Sequence, residues 1–509
     1  MTGFKGGQKT DPSLDKLADA VLIPPFPGSS APAWVLDALG DGLAGVTVFG
    51  PNIAGTGQLA GLIASLRAAA DEPIIAIDEE GGDVTRIAHQ TGSPYPGNAA
   101  LGAVDDVTLT ESVYLALGAD LAALGINVDL APSVDVNTAA GNPVIGTRSF
   151  GADTDLVARH AAAAVTGLQA SGVAACAKHF PGHGSTSIDS HHVIAAVEGS
   201  FDMVKRRDLP PFAAAITAGV RAVMPGHLRV PGLTGELPAS LSAAALTGLL
   251  RGELGFTGVI VSDALEMRAV SGPFGIAQAA VLAVAAGTDL LCFGRDQDEP
   301  TYREVRDALV AAVRSGQLPV ARLEESAARV ADLRTWAAAA RGPAADTHPG
   351  RHRDVGLVAA MRAIKVEGTP GRLVDPLLVE LVPPSNIAVG TVPWGLGNWV
   401  PADRVRRIAT TAESAGGPAL AEVQEVLAAA QGRPLLVVVR DAHRHPVAQD
   451  LVRLLLTARP DAVIVEMGLP VWHPPAEVYL ATFGATSASS RATAQLLGLD
   501  PWSTSSEVD

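Results

Sequence analysis

The chain has 509 residues, 48% of them hydrophobic, and this size and apolar content indicate two or more packed cores. Acidic residues outnumber basic ones by 53 to 37, giving a formal charge of -16, and no basic stripe is present that would bind a phosphate backbone. We therefore expect a folded multidomain protein without a nucleic-acid partner.

The apolar runs of the chain give no sign of membrane insertion. Residues 1–16 carry lysines but no apolar signal-peptide core, and three prolines within residues 24–27 interrupt the next apolar stretch. No run approaches the roughly 20 apolar residues that span a bilayer. Cys176 and Cys292 each lie in an apolar run, which is typical of buried free thiols. These features predict a cytoplasmic protein without a membrane partner.

From Leu17 to about Arg341 the chain repeats one pattern, in which a short Val- and Ile-rich run precedes a polar loop and an Ala- and Leu-rich helical stretch. This alternation is typical of parallel βα units and predicts an α/β fold. The predicted strands are centred near Val21, Val46, Ile75, Val128, Ala175, Val223, Ile260 and Leu290. Eight such units fit a (β/α)8 TIM-like barrel, and a doubly wound open sheet is the competing architecture.

Charged residues recur directly after the predicted strands. They are Asp78-Glu79-Glu80 after the third strand, Asp129 and Asp135 near the fourth, Lys178 and His179 after the fifth, His227 after the sixth and Asp263 after the seventh. In a barrel these strand ends converge on one pocket, whereas an open sheet spreads them along its edge. The recurrence therefore favours the barrel.

A change of composition marks the end of the barrel. Residues 342–355 lose the periodicity and contain several Gly and Pro residues, which is typical of a linker. Strand-like runs then resume at residues 377–382, 435–439, 462–467 and 478–483, with a helical segment at 419–430. We predict a catalytic barrel over residues 1–341, a linker over 342–355 and a smaller α/β sandwich domain over 356–509. The polar cluster of Asp441, His443 and His445 is interpreted as a solvated loop of this second domain.

Asp263 directly follows the predicted strand 258–262. A carboxylate fixed at a strand end can act as a nucleophile or as an electrostatic stabiliser, because the backbone sets its position. The same position is also used by an Asp that caps the following helix. The local pattern leaves both interpretations open.

Residues 178–192 concentrate four histidines, a lysine and an aspartate in one loop after the fifth strand. A metal site would use His179, His183 and His191, but the proline and glycines between the first two make a shared helix face improbable. We therefore predict no metal and no cofactor. Asp189 and His191 are one residue apart, so in an extended loop the carboxylate can orient the imidazole as a general acid/base. A polar loop whose histidine bonds only to backbone is the alternative.

Further donors and acceptors are expected around the same pocket. They are Asp78, Arg86, Arg148, Lys178 and His179. Without a phosphate-cradling glycine loop, this set indicates a ligand rich in hydroxyls with an amide, rather than a nucleotide. Each of these residues could equally form an ordinary buried ion pair.

The loop motif of residues 178–184, followed after four residues by Asp189-Ser190-His191, resembles the signature of bacterial β-N-acetylglucosaminidases of glycoside hydrolase family 3. Residues 262–267 are similar to the nucleophile segment of that family, and residues 78–86 to its sugar-binding strand end. The resemblance extends through residues 148–150, 224–227 and 238–242 and so covers the barrel, whereas the second domain is similar only in scattered features.

The resemblance implies a retaining mechanism with two catalytic groups. Asp263 would form a glycosyl-enzyme, and His191, oriented by Asp189, would act as acid and then as base. The predicted binding residues for the terminal GlcNAc are Asp78, Arg86, Arg148, Lys178, His179 and His227. The implied partner is a carbohydrate, either a muropeptide or a chitooligosaccharide.

Two other activities remain open at this point. A histidine base does not repel an anionic acceptor, so a phosphorylase is the first alternative. A barrel that binds sugars without cleaving them is the second. Two departures from the family pattern, Asp83 where many relatives have Arg and Ala264 in place of a frequent Asp, affect only the charge around the pocket.

Overall fold

The computed structural model describes residues 12–188, 194–341, 353–384, 388–411 and 417–499. Its N-terminal part, up to residue 341, is built from short parallel strands alternating with helices. The strands are β1 (Leu22–Ile23), β2 (Gly45–Val48), β3 (Ile74–Ile77), β4 (Val128–Asp129), β5 (Ala174–Phe180), β6 (Ala195–Ala196), β7 (Ala222–Pro225), β8 (Leu228–Arg229), β9 (Val259–Ile260) and β10 (Leu291–Cys292).

Eight of these strands form a barrel, while β6 and β8 pair with each other outside it. The order β2-β3-β4-β5-β7-β9 is continuous and parallel, and β1 pairs with β10. A parallel bridge between Val261 and Leu290 joins β9 to β10, and the Thr47 amide donates to the Pro24 carbonyl at 3.2 Å beside β1. These contacts close the ring, so the predicted barrel is confirmed and the open sheet is wrong.

The helices of this N-terminal part surround the barrel. They are Pro12–Asp19, Ala33–Asp41, Thr56–Ala69, Asn98–Val104, Val107–Leu124, Thr154–Ala170, Phe201–Arg207, Leu209–Thr217, Ala244–Glu253, Arg268–Phe274, Ile276–Ala286, Glu299–Ser315 and Val320–Ala340, with short 3-10 turns at Gly50–Asn52, Gly146–Arg148 and Ala239–Leu241.

The helix Val107–Leu124 shows how such a helix is fixed. The Asp106 carboxylate caps its start by accepting from two backbone amides, and Gly125, at φ +86°, ends it. Among the described helices, this one is long and apolar enough to cross a membrane, but half of its residues are buried inside the protein. It packs closely on the helix Thr154–Ala170, because a Cβ at Gly167 would lie 2.2 Å from the Glu111 carbonyl oxygen. Its apolar face therefore belongs to the barrel core.

Alternate residues of each barrel strand face two different cores. Ile74 and Ala76 of β3 lie in the cluster that fills the barrel, whereas Ile75 and Ile77 lie in the larger cluster under the helices. This alternation follows from the two-residue period of a strand. It also decides which residues after each strand point toward the barrel axis.

The N-terminal end of the barrel carries a closed ion cluster around Asp289, which precedes β10. Its side chain is fully buried and pairs with Arg251, Arg322 and Arg329. One oxygen also accepts the Ile260 amide at 2.9 Å, and Arg322 donates to the Thr288 carbonyl at 3.1 Å. The cluster ties helices to the bottom of two strands.

The second domain is a six-stranded sheet with helices on both faces. Its strands are β11 (Lys365–Glu367), β12 (Leu377–Val382), β13 (Val405–Ala409), β14 (Leu435–Val439), β15 (Val463–Glu466) and β16 (Val478–Ala481), in the order β11-β16-β15-β14-β12-β13. All pairings are parallel except β11 with β16. Its helices are Arg353–Ala363, Gly417–Ala429, Pro446–Ala458 and Ser487–Leu496, with 3-10 turns at Gly397–Trp399, Ala402–Arg404 and Ala442–Arg444.

The apolar runs predicted as strands at residues 377–382, 435–439, 462–467 and 478–483 correspond to β12, β14, β15 and β16. The two outer strands β11 and β13 were not predicted, because β11 is exposed throughout and β13 carries charged residues. The helix Arg353–Ala363 starts inside the predicted linker and packs on both domains, with Ala359 in the barrel core and Ala360 against the helix Ser487–Leu496.

Candidate active site

The two-residue period that fills the barrel continues past the strands into charged side chains. The interior residues Ile74 and Ala76 are followed in step by Asp78, Ala174 and Cys176 by Lys178, and Val259 and Val261 by Asp263. These three charged groups therefore leave different strands on the axial side. They line one cavity of about 710 Å³ at the C-terminal end of the barrel.

Most of the predicted site residues line this cavity. They are Asp78, Arg86, Arg148, Lys178, His179 and Asp263. The predicted acid/base residues Asp189 and His191 fall in residues 189–193, outside the described part of the chain. The cavity thus brings together the predicted nucleophile and five of the six predicted binding residues.

One carboxylate and two cations that line the cavity contact one another. The Lys178 ammonium contacts Oδ1 of Asp78 at 2.5 Å, and the Arg86 guanidinium contacts the other oxygen at 2.7 Å. Burial alone would raise the pKa of Asp78, but the charges of Lys178, Arg86 and Arg148 outweigh it and hold that pKa well below its usual range. Asp78 is therefore ionised at any pH at which the protein would be assayed.

Glu80 extends the network deeper into the protein. It forms a bidentate pair with Arg148, with distances of 2.6 and 2.8 Å, and its Oε1 lies 2.7 Å from the Lys178 ammonium. Burial opposes the charge, yet Arg148 and Lys178 lower the pKa of Glu80 overall. Because Glu80 contacts both cations, the N–H donors of Lys178 and Arg148 are held in fixed directions.

His179 is held by groups on both sides of its ring. Its Nδ1 lies 2.8 Å from the Asp135 carboxylate and its Nε2 lies 3.3 Å from the Arg148 guanidinium. Since a guanidinium only donates, these partners place the imidazole proton on Nδ1. The same Asp135 carboxylate accepts the His183 amide at 2.6 Å, so it anchors the start of the histidine-rich loop.

His183, which also lines the cavity, is held within this loop by a neighbouring hydroxyl. Its Nδ1 lies 2.7 Å from the Thr186 hydroxyl, and burial together with the neighbouring His179 lowers its pKa to about 4. Gly184 makes the bend possible, because a Cβ there would lie 2.0 Å from the Val136 carbonyl oxygen. Among the described residues, no group of three or more His, Cys, Asp or Glu side chains is placed to hold a metal ion.

Asp263 is presented at the end of β9 with its carboxylate in the cavity. Its Oδ1 accepts the Ala264 amide at 2.8 Å, which fixes the side chain close to its own backbone. Three residues on, Glu266 also lines the cavity and accepts the Gly294 amide at 2.7 Å. Burial raises the pKa of Glu266, and the charge of Asp263 raises it further. A second acidic group thus lies near the predicted nucleophile, and the sequence reasoning gave it no role.

His227 is not among the residues that line the cavity, and its predicted role in sugar binding stays a prediction. It is fully buried, with Nδ1 2.7 Å from the Ser240 hydroxyl and Nε2 3.0 Å from the Ala264 carbonyl. A carbonyl only accepts, so Nε2 carries the proton and donates to it. His227 therefore stabilises the turn after β9, which carries Asp263, on the side facing away from the cavity.

The second domain supplies one wall of the cavity. Residues 388–392 line it, and the Ala388 carbonyl accepts from the Arg86 guanidinium at 3.3 Å. Asp83 holds the two domains together at this point, because its carboxylate accepts the Ala485 amide at 2.9 Å and lies 3.2 Å from the Arg440 guanidinium. The aspartate that departs from the family pattern is thus satisfied by a cation of the second domain.

Besides Glu266, three parts of this site were given no role by sequence reasoning. Glu80 was named only as a charged residue after a strand, although it lies two residues after Asp78 on the same face of an extended segment. Asp135 was likewise named near a strand end, but its role as an anchor depends on the loop packing. The wall formed by residues 388–392 has no sequence signal, because it arises from domain packing.

A family model described as the N-terminal domain of glycosyl hydrolase family 3 matches residues 30–333. The chain belongs to glycosyl hydrolase family 3. The resemblance found in the motifs is thereby confirmed, as is the fold of a barrel followed by a second α/β domain.

The chain is also similar to individual β-N-acetylglucosaminidases and β-hexosaminidases, as the motifs predicted. A family 3 β-N-acetylglucosaminidase from Paenibacillus sp. str. FPU-7 has 33% identity and a TM-score of 0.84, over 95% of this chain and 96% of that one. A β-N-acetylhexosaminidase from Beutenbergia cavernae has 30% identity and a TM-score of 0.57, over 65% of this chain and all of that one. The β-hexosaminidase A of Pseudoalteromonas piscicida is 34% identical over 355 residues, which are 65% of this chain and 58% of that protein.

Proposed function

We propose that this family 3 protein is a retaining exo-β-N-acetylglucosaminidase that removes terminal β-linked GlcNAc from muropeptides or chitooligosaccharides. One observation carries the proposal. The Asp263 carboxylate lines the same cavity as fixed hydroxyl-binding groups, namely Asp78, Arg86, Arg148 and Lys178. Because these charged groups already neutralise one another, they can hydrogen-bond to the hydroxyls of an uncharged sugar.

In the proposed reaction Asp263 attacks the anomeric carbon, and the bond from that carbon to the leaving oxygen breaks. His191, oriented by Asp189, gives its proton to the leaving oxygen. It then takes a proton from water, whose oxygen attacks the anomeric carbon and releases Asp263. Asp78 and Arg86 would orient the sugar hydroxyls, and Glu266, whose pKa is raised by burial, would lie beside the nucleophile.

The first test uses p-nitrophenyl β-GlcNAc with the variant Asp263→Ala. The expected loss of kcat/KM is about 10⁴-fold or more, because the covalent intermediate cannot form. Added azide should restore release of p-nitrophenol and give a glycosyl azide of α configuration, since the anion attacks from the vacated side. Asp307→Ala, at an exposed aspartate that does not line the cavity, is the control. An Asp263→Ala variant within tenfold of the unsubstituted protein would contradict the proposal.

The second test separates the acid from the nucleophile. His191→Gln should lower hydrolysis of chitobiose by about 10² to 10⁴-fold, because its sugar leaving group needs protonation. Cleavage of p-nitrophenyl β-GlcNAc should fall less at the glycosylation step, since p-nitrophenolate leaves without a proton. Equal losses on both substrates in single-turnover measurements would show that His191 does not donate that proton.

The nature of the acceptor is tested in the same assay, with and without phosphate. Free GlcNAc as the product under both conditions is the expected result. GlcNAc-1-phosphate formed in proportion to added phosphate would replace hydrolysis by phosphorolysis, with the same residues acting.

A further inference from the structure

A tight turn at residues 139–142 precedes Arg148 in the chain. It is closed by a hydrogen bond from the Asn142 amide to the Ala139 carbonyl at 2.9 Å. The Asn142 side chain is buried, with a relative exposure of 1%. A buried carboxamide has to satisfy an N–H donor group and an oxygen acceptor within the protein. The partners of Asn142 therefore reveal which segments the turn connects.

The Nδ2 group of Asn142 holds the histidine-rich loop that follows β5. It donates to the His183 carbonyl at 2.9 Å and to the Thr186 hydroxyl at 3.4 Å. The backbone adds a contact beside these two, because the Ala139 amide donates to the Gly184 carbonyl at 3.1 Å. The turn and the first part of the loop are thus joined by three hydrogen bonds.

The Oδ1 atom of Asn142 holds the segment that carries Arg148. It accepts the Val144 and Ile145 amides, each at 2.9 Å. The carbonyls of the same two residues accept from Arg148, at 2.9 Å from its amide to Ile145 and at 3.2 Å from its guanidinium to Val144. One buried side chain therefore links a predicted sugar-binding residue to the histidine-rich loop.

The second domain contacts the same turn through His443. Its Nε2 donates to the Ala140 carbonyl at 2.8 Å, so this nitrogen carries the imidazole proton. The position of His443 is itself fixed, because the buried Glu466 carboxylate accepts the Asp441 and Ala442 amides at 2.7 and 3.0 Å. A fixed turn of the second domain is thus bonded to the barrel turn that holds the loop.

Other contacts also dock the second domain on the barrel. Asp83 accepts the Ala485 amide at 2.9 Å, and the Ser487 hydroxyl donates to the Ser93 carbonyl at 2.7 Å. In the described part of the chain neither Asp83 nor Ser93 bonds to the histidine-rich loop, whereas the turn that accepts from His443 does. The His443 contact is therefore placed to affect the loop and not only the docking of the domains.

We propose that Asn142 and His443 are positioning residues of the reaction. Asn142 keeps Arg148 and the histidine-rich loop in a fixed relation, and His443 lets the second domain stabilise that arrangement. The inference rests on the proposed function, because the loop leads into Asp189 and His191, the proposed pair for proton transfer. A misplacement of about 1 Å can lower the rate of such a step by about 10²-fold. The second domain thus contributes to the chemistry as well as to the cavity wall.

The kinetic experiment compares two substrates in single-turnover measurements. Chitobiose needs a proton on its leaving group, whereas p-nitrophenyl β-GlcNAc does not. His443→Ala removes one hydrogen bond and should lower cleavage of chitobiose about threefold to tenfold, and that of the nitrophenyl substrate less than about twofold. His443→Gln should recover most of this loss, since its Nε2 can donate to the same carbonyl. His473→Ala, at a half-exposed histidine of the same domain, should leave both rates unchanged.

Asn142→Ala should have the larger effect, because it removes all of the side-chain contacts of the turn. We expect cleavage of chitobiose to fall about 10²-fold, and KM for p-nitrophenyl β-GlcNAc to rise because Arg148 loses its support. Thermal melting in parallel identifies folded protein. Equal losses on both substrates in folded His443→Ala and Asn142→Ala would overturn the positioning role.

Hydrogen–deuterium exchange of the unliganded proteins separates this inference from the proposed function, because it needs no substrate. In His443→Ala the amides of residues 183–186 should exchange about threefold to tenfold faster, and those of the helix Thr154–Ala170 should not change. This result supports the coupling even if the unsubstituted protein cleaves neither substrate, which would overturn only the proposed hydrolysis. Unchanged exchange at residues 183–186 in both His443→Ala and Asn142→Ala would overturn the coupling.

Discussion

The two ends of the barrel carry ion clusters of similar composition and different use. At the N-terminal end, Asp289 is enclosed by three arginines, and backbone groups take up further donors and acceptors. At the C-terminal end, Asp78 and Glu80 share Lys178 beside a cavity of about 710 Å³. The difference teaches that buried charges of a barrel signal function only where a cavity adjoins them; elsewhere they fix strands and helices.

The largest expected effect is on stability, at the closed end. Asp289→Ala leaves three guanidinium groups without their common partner and should lower the free energy of unfolding by about 3 to 5 kcal/mol. Urea denaturation measures this loss. Asp307→Ala, which breaks an exposed pair with Arg306, should cost less than about 1 kcal/mol. A loss at Asp289 no greater than at Asp307 would show that the closed cluster does not stabilise the barrel.

The next largest expected effect is a pH dependence of stability that arises at the C-terminal end of the barrel. His183, at the open end, has its pKa lowered to about 4 from the model-peptide value of 6.5. Between these two values the unfolded chain binds a proton at His183 that the folded protein does not bind. The contribution of neutral His183 to the free energy of unfolding is therefore complete above pH 6.5 and is lost as the pH falls toward 4. The loss should approach about 3 kcal/mol over this window.

Urea midpoints at pH 7 and pH 4.5 test this pH dependence. His183→Gln should flatten it, whereas His473→Gln, at a half-exposed histidine of the second domain, should leave it unchanged. The same slope in His183→Gln as in the unsubstituted protein would assign the acid sensitivity to other groups.

A change at Lys178 tests whether the open cluster is functional. Lys178→Met removes the cation shared by Asp78 and Glu80, and kcat/KM on p-nitrophenyl β-GlcNAc should fall about 10²-fold, equivalent to about 2.7 kcal/mol. Thermal melting is measured in parallel to separate activity from stability. Full activity in a folded Lys178→Met protein would make the two ends of the barrel equivalent.

The smallest expected effect concerns the contact between the domains at the open end. Asp83→Asn weakens the pair with Arg440 and should lower the unfolding free energy by about 1 kcal/mol. Limited proteolysis between the domains should become faster. Unchanged stability and cleavage would show that the contact contributes nothing to docking.

Much of this molecule could be predicted from the sequence because its strands are short, apolar and regularly spaced. The same two-residue period that marks β3 also points Asp78 into the cavity. His227 shows what such reasoning leaves out. Its position after β7 is that of a pocket residue, but its ring turns toward Ser240 and the Ala264 carbonyl. Side-chain direction after a strand depends on the turn that follows, and that turn is set by packing.

The second domain shows the other limit. Four of its six strands were predicted, but its part in the cavity wall was not, and the cluster of Asp441, His443 and His445 was interpreted as a solvated loop. Asp441 and His445 line a cavity between the two domains instead, and His443 donates across the domain boundary to the Ala140 carbonyl at 2.8 Å. Contacts between domains join residues hundreds of positions apart, and no local pattern records them.

The wall formed by residues 388–392 has an evolutionary consequence. The solved chain of the Beutenbergia β-N-acetylhexosaminidase aligns over its whole length with 65% of this chain. In this chain the second domain adds residues 388–392 to the rim of the cavity that carries Asp263. Selection can then alter what the rim contacts by changing residues 388–392 and the turn after β14, leaving the chemistry encoded at the barrel strand ends intact.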